Sequence, residues 1–155
     1  MKNIYKILFL SLTLLLVVHQ FGQSQTARET GDRIKTKKIA FFTEKLQLTP
    51  DEAQKFWPVF NEYDAKKNTL LNEKRKLTEN FQANATKIKD SDADNIMNKY
   101  VQLTKQEALL MEEYNKRFRQ ILSAQKVMKL YLAETEFKIV LLRELKANSK
   151  ADNAN

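Results

Sequence analysis

The chain has no cysteine and, in 155 residues, only one histidine, two glycines and two prolines. Each shortage removes a class of chemistry. Without cysteine there is no disulfide, no thiol nucleophile and no lipid-modified cysteine of the bacterial lipoprotein type. The one histidine, His19, sits in an apolar N-terminal segment. If that segment is cut off, the rest of the chain can build neither a Ser-His-Asp triad nor a usual zinc site. Two glycines, Gly22 and Gly31, do not make a phosphate-cradling loop or a dinucleotide fingerprint. Carboxylate pairs remain. Glu112 and Glu113 are neighbours on a helix, so their side chains diverge. Asp92 and Asp94 lie where a helix starts, and acidic residues there answer the helix dipole. The expectation is a protein that is not an enzyme, with no catalytic residue, no metal and no cofactor.

The N-terminus reads as a secretory signal peptide over residues 1–24. Lys2 and Lys6 form a positive stretch, and Ile7 to Val18 is apolar apart from Ser11 and Thr13. Gly22-Gln23-Ser24 then puts small residues at the minus-three and minus-one positions of a cut after Ser24. The run is shorter than the ~20 residues of a membrane span, although an uncleaved anchor is the competing reading. Cleavage would remove two of the 27 basic residues and none of the 19 acidic ones, so the formal charge falls from +8 to +6. The expected product is a soluble periplasmic protein of one domain, residues 25–147, with a disordered polar tail at 148–155.

What is abundant is Lys, Glu, Gln, Leu and Ala, which favours long helices and predicts an all-α fold. The plainest signal is Leu48-Thr49-Pro50-Asp51-Glu52. Thr49 is a natural N-cap, Pro50 suits the first helical position, and Glu52 completes a capping box three residues on. The helix begun there is predicted to run to about Ala85 with a kink at Pro58, which loses a hydrogen bond to the Gln54 carbonyl. A first helix is predicted over Thr30 to Lys45, with Ile34, Phe41 and Leu48 on one edge and Ile39, Phe42 and Leu46 on another. A third runs from about Asp92 to Ile121 with Met97, Tyr100, Leu103, Leu110, Met111, Tyr114 and Phe118 on its apolar side. A fourth starts near Ser123 and runs to about Lys146. Met97, Met111 and Met128 read as core filler. Helices this long relative to the domain point to an open, bent helical-hairpin arrangement, or to an intertwined homodimer.

Two stretches resemble a known family. The run Ile39-Ala40-Phe41-Phe42-Thr43-Glu44-Lys45-Leu46, continued through Leu48-Thr49-Pro50-Asp51-Glu52-Ala53-Gln54-Lys55-Phe56-Trp57-Pro58, is similar to the exported helical proteins of the Spy/CpxP group. It is most similar to the Bacteroidetes-type branch labelled as a sensor of an extracytoplasmic-function (ECF-type) sigma factor. The stretch Ile121-Leu122-Ser123-Ala124-Gln125-Lys126-Val127-Met128-Lys129-Leu130-Tyr131, with Glu134 and Phe137, resembles the same branch. The group is named for a repeated Leu-Thr-x-x-Gln motif. Here Leu48-Thr49 is followed by Glu52 in the Gln position. Leu122-Ser123 is followed by Lys126 in that position, with Gln125 one residue early. The resemblance implies a cradle-shaped helical dimer that acts either as an ATP-independent chaperone or in sensing envelope stress. Zinc-responsive relatives use ligands this chain lacks once His19 is gone, so zinc binding is not carried over.

A holding chaperone needs apolar contacts and charge. The apolar candidates are Phe41, Phe42, Phe56, Trp57 and Phe60, for which plain core packing is the competing reading. The basic candidates are Arg33, Lys35, Lys37 and Lys38 on the first helix and Lys66, Lys67, Lys74 and Arg75 on the second, which would otherwise be an ordinary solvated face. The expected partners are unfolded or misfolded envelope proteins and a second copy of the chain. A regulatory accessory that binds a membrane sensor or anti-sigma factor is the alternative. Peripheral binding to anionic membrane is a second alternative, since the first helix sets lysines beside Ile34, Phe41 and Phe42. Nucleic acid is not an expected partner, because the aromatics sit at core spacing and export is predicted.

Overall fold

The computed structural model describes residues 31–152, and over these the protein is all-α, with four helices. The predicted signal peptide and residues 25–30 and 153–155 lie outside the described residues. Helix α1 covers residues 31–46. Helix α2 is Pro50–Asn84, α3 is Asp90–Arg119 and α4 is Ala124–Asp152. No strand occurs among the described residues. Helix α2 has 35 residues, a length of ~52 Å at 1.5 Å per residue. Pro58 lies inside it and does not end it. Pro58 and Gln54 are both exposed, so the carbonyl that loses its donor is on the solvent side of the helix.

The starts of α2 and α4 can be read in the residues before them. Thr49 caps α2: its hydroxyl accepts from the Glu52 N–H while the Glu52 carboxylate accepts from the Thr49 N–H at 2.9 Å. Ser123 caps α4, with its hydroxyl accepting from the Lys126 N–H. Lys89 offers α3 no side-chain cap, and Asp90 and Asp92 answer the dipole instead. Helix α1 ends in a Schellman turn, with Gln47 N–H bonded to Glu44 O and Leu48 N–H to Thr43 O. Gln47 takes the left-handed position at φ 49°, a place glycine usually fills and where a side chain costs ~1 kcal/mol.

The termini differ from expectation in two places. Helix α3 begins at Asp90, two residues early, because Lys89 and not Asp92 precedes its first turn. The backbone of α4 stays helical to Asp152, so the tail expected to be disordered from residue 148 is helical over its first five residues. No glycine or proline stands after Ala147 to stop it.

The helices are joined by short connections, and α3 packs along α2 but meets α4 only beside their connection. Across α2 and α3, Arg117 meets Glu62 and Lys74 meets Glu107. Across α1 and α4, Lys45 meets Glu136 and Lys37 meets Glu144. The core is a run of aromatic contacts that touches all four helices. The Phe42 and Phe60 rings lie 5.3 Å apart, Phe56 and Phe118 5.7 Å, Tyr63 and Tyr114 5.3 Å, and Phe42 and Phe137 5.8 Å. Leu46, Leu122, Val127, Leu130 and Ala133 fill in around them. Leu122 before the cap and Val127 after it form a hydrophobic staple that sets the entry of α4. Beyond this base α2 and α3 continue as a two-helix arm, roughly residues 71–109.

Candidate functional site

The structure sorts the aromatic candidates by burial. Phe42, Phe56 and Phe60 are 0–1 % exposed and belong to the base. That corrects their assignment to a contact surface: they stand at helical spacing because they make the core, and no partner reaches them without unfolding it. Phe41 and Trp57 are half-buried. Phe41 sits under the Lys45 ammonium, 5.3 Å from the ring centre. Trp57 packs edge-on to Phe60 and lines a shallow cavity with Ile34, Lys35 and Lys38.

The basic candidates do not form a free positive face either. Lys37 bonds Glu144, Lys38 bonds both oxygens of Asp64 at 3.0 Å, and Lys67 bonds Glu134 at 2.8 Å. Lys66 bonds Glu62, Lys74 bonds Glu107, and Arg75 lies 3.9 Å from Glu79. Four of these, from Lys37, Lys38, Lys67 and Lys74, tie one helix to another. Of the eight, only Arg33 and Lys35 have no carboxylate partner among the described residues. Sequence spacing cannot show this neutralisation, because the carboxylates lie up to 107 residues away.

The pKa shifts follow these pairs. The Arg117 guanidinium, with help from Tyr114 and Lys66, holds the Glu62 carboxyl down at about 2. Lys66 is raised by the Tyr114 hydroxyl and by Glu62. Burial pulls Lys67 down, but Glu134 beside it outweighs burial and the net shift is upward. Tyr114 Oη is buried without a partner at hydrogen-bonding geometry, yet it lies close enough to Glu62 and Lys66 to act on both. Lys45, not singled out from the sequence, is raised by Glu136 across the α1–α4 seam.

The two motif copies meet in space. Leu48 is half-buried and Leu122 buried, each just ahead of its cap, Thr49 and Ser123. Gln125 is exposed. Lys126 Nζ bonds the Glu52 carboxylate and, at 2.8 Å, the Gln47 carbonyl. Lys126 therefore ties the end of α1, the start of α2 and the start of α4 into one corner. A lysine in the first turn opposes its own helix dipole, and Glu52 offsets that. The same contact lowers the Glu52 pKa.

The remaining feature is apolar and was missed. Phe81, Ile96, Met97 and Tyr100 line an open groove of about 700 Å³ at the far end of the arm, edged by Asp90 and Asp94. Phe81 is 41 % exposed and Met97 55 %. Met111 and Met128 are exposed as well, so the reading of the three methionines as core filler is corrected. In the arm, the apolar side of α3 is wider than α2 can cover.

No group of three or more His, Cys, Asp or Glu that could hold a metal occurs among the described residues. Glu112 is taken up by Lys116 and Asp94 by Asn98. No helix among the described residues is long and apolar enough to cross a membrane. The chain matches no family model, no curated protein and no solved structure.

Proposed function

We propose that this is an exported, periplasmic, ATP-independent holding chaperone of the Spy/CpxP-like group, cradle-shaped and homodimeric, which binds unfolded envelope proteins under stress. The observation that carries the reading is the arm groove. Large apolar side chains stand exposed there, on a chain whose aromatic core is complete without them. Weak apolar contact of this kind holds an unfolded segment and releases it without a nucleotide, with short-range contact setting the escape rate. The signal-like N-terminus and the Thr49 and Ser123 motif copies support export and the family.

Two other readings fit less well. Peripheral membrane binding needs a basic α1 free to face lipid, whereas Lys37 and Lys38 are paired and Phe42 is buried. A regulator that binds one sensor or anti-sigma factor would use the same groove and is separated by the test.

The test is light scattering from a chemically denatured protein diluted with and without the purified chain. Suppressed aggregation near one dimer per client, without ATP, is expected for several unrelated clients. Phe81→Ser with Met97→Ser, both at exposed positions, should weaken suppression several-fold while circular dichroism stays helical. No suppression of any client overturns the chaperone reading in favour of a regulator with a single partner.

A further inference from the structure

Helices α3 and α4 each carry a second row of side chains that the base does not use. On α3 it is Met97, Val101, Thr104, Ala108 and Met111, and on α4 it is Met128, Leu132, Thr135, Ile139 and Leu142. Every member of both rows is exposed. Val101 is 60 % accessible and Leu142 58 %. Both rows step by four and then three residues, twice over, and both have threonine at the centre. That is the spacing of a coiled-coil seam. It differs from the rows that face the base, Leu103, Tyr114 and Phe118 on α3 and Val127, Leu130 and Phe137 on α4. Helix α4 is therefore apolar on two sides, which a helix with one neighbouring face does not need.

The geometry points to a second copy of this chain as the cover: the α3 row pairs antiparallel with the α4 row of the other copy, and the two-fold axis repeats the pairing. Overlaying the rows sets Val101 against Leu142 of the second copy, Thr104 against its Ile139, Ala108 against its Thr135 and Met111 against its Leu132. The positions beside the seam then match in charge. Lys105 meets Glu136, Glu112 meets Lys129 and Glu107 meets Lys138 of the second copy, each carboxylate then being shared with its own chain's lysine, Lys45, Lys116 or Lys74, and exposed Tyr100 meets exposed Leu145. Like pairings do worse. With four layers overlaid, α3 on α3 sets Lys105 and Glu107 against their own copies, and α4 on α4 does the same for Glu136 and Lys138. Shifted by one heptad, they leave Met111 opposite Asp94 or Leu142 opposite Gln125. The mixed pairing covers four layers of each row, with the end members Met97 and Met128 opposite Lys146 and Asn115, and only it sets opposite charges on both sides of the seam.

A single chain does not satisfy its own rows. A closed α3–α4 hairpin would use the same register, but α4 is committed elsewhere. Lys67–Glu134, Lys45–Glu136 and Lys37–Glu144 hold it to α1 and α2, and its inner face is core. It reaches α3 beside their connection, where the Tyr131 hydroxyl donates to Asn115 at 3.0 Å. Closing the hairpin would strip those contacts, whereas a second copy leaves α4 in place on α1 and α2, with Glu136 shared between Lys45 and the Lys105 of the other copy.

The inference rests on the homodimer of the preceding reading and not on its chaperone activity. The absence of cysteine makes the test clean, since no native thiol competes with the introduced ones. Ala108→Cys and Thr135→Cys, purified separately, mixed and oxidised, should give a covalent dimer in several-fold higher yield than either alone. Equal yield from one variant alone overturns the mixed pairing, as does no cross-link in the mixture. In the double variant, a cross-linked monomer whose yield is independent of concentration overturns it in favour of the closed hairpin. Leu132→Glu with Leu142→Glu, both at exposed positions, should weaken dimerisation more than tenfold by sedimentation with helicity unchanged. A parent chain that stays monomeric at micromolar concentration sinks the homodimer and this interface together. A dimer without the mixed cross-link sinks the interface alone, and suppression of aggregation is read separately from both.

Discussion

The base and the arm use the same residue types and are held in different ways. In the base, four helices converge on Phe42, Phe56, Phe60, Tyr63, Tyr114, Phe118 and Phe137, all 4 % exposed or less. In the arm, two helices continue alone, and Leu103 is the one fully buried side chain. The arm is carried by helix propensity, by Lys74 bonded to Glu107 and lying over the Tyr100 ring, and by half-buried Leu77 and Ile96. Two helices cannot close around an apolar face, so the arm leaves Phe81 and Met97 in water where a fourfold bundle would cover them. The base supplies the folding free energy, and the arm has surface to spare for a partner.

The sharpest way to break this comparison is Phe60→Ala. Phe60 touches the rings of Phe42, Phe56, Trp57, Tyr63 and Phe118, so removing it opens a cavity where three helices meet. The expected loss is about 3–5 kcal/mol, a large share of the ~5–15 kcal/mol that holds a domain. Urea unfolding should show it as a lower midpoint for the whole molecule. Phe60→Leu, which keeps most of the volume, should cost about 1 kcal/mol. A loss below 1 kcal/mol for the alanine variant would mean that the aromatic base is not the main source of stability.

Leu103→Ala asks the same question of the arm. A buried leucine costs about 2 kcal/mol or more when truncated, but here the effect should stay local. Hydrogen exchange should quicken for amides around residues 74–105 while those of the base keep their protection, because the arm opens as its own unit. Equal quickening in both regions would show that base and arm unfold together and that the division between them has no energetic meaning.

How much of this could be read from the sequence differs between the same regions. The capping box at Thr49 and the cap at Ser123 were legible because their partners lie three residues away. So was the all-α class, from the lack of glycine and the helical period. The fate of Phe42 against Phe81, or of Leu103 against Met97, was not. Each pair has the same chemistry at the same kind of position, and burial depends on how many helices arrive from distant parts of the chain. The ion pairs were hidden for the same reason. Lys37 and Lys67 look like a solvated face until α4 brings Glu144 and Glu134 to them. The outer rows of α3 and α4 were obscured by overlap, since a step of 3.5 beside one of 3.6 reads as a single broad apolar side.

The smallest effect tests the corner that anchors both regions. Glu52 in the first turn of α2 and Lys126 in the first turn of α4 form one pair, since Lys126 Nζ bonds the Glu52 carboxylate across 74 residues of sequence. The sign of its pH dependence follows from the shift. Lys126, then the Thr49 N–H, holds the folded Glu52 pKa below its ordinary value, so its contribution is complete above the unfolded value of ~4.3. It fades as pH falls through the lower, folded value. Lys126→Gln should therefore lower stability at neutral pH by less than Leu103→Ala does. The gap to the parent should close toward acid, while Glu62, held at about 2 by Arg117, continues to lose its own contribution in both proteins. Glu52→Gln combined with Lys126→Gln should recover part of the loss, because two amides still bond each other and neither leaves a lone charge at the corner. If the double variant is as unstable as the sum of the single ones, the two residues act independently and the corner is not one unit.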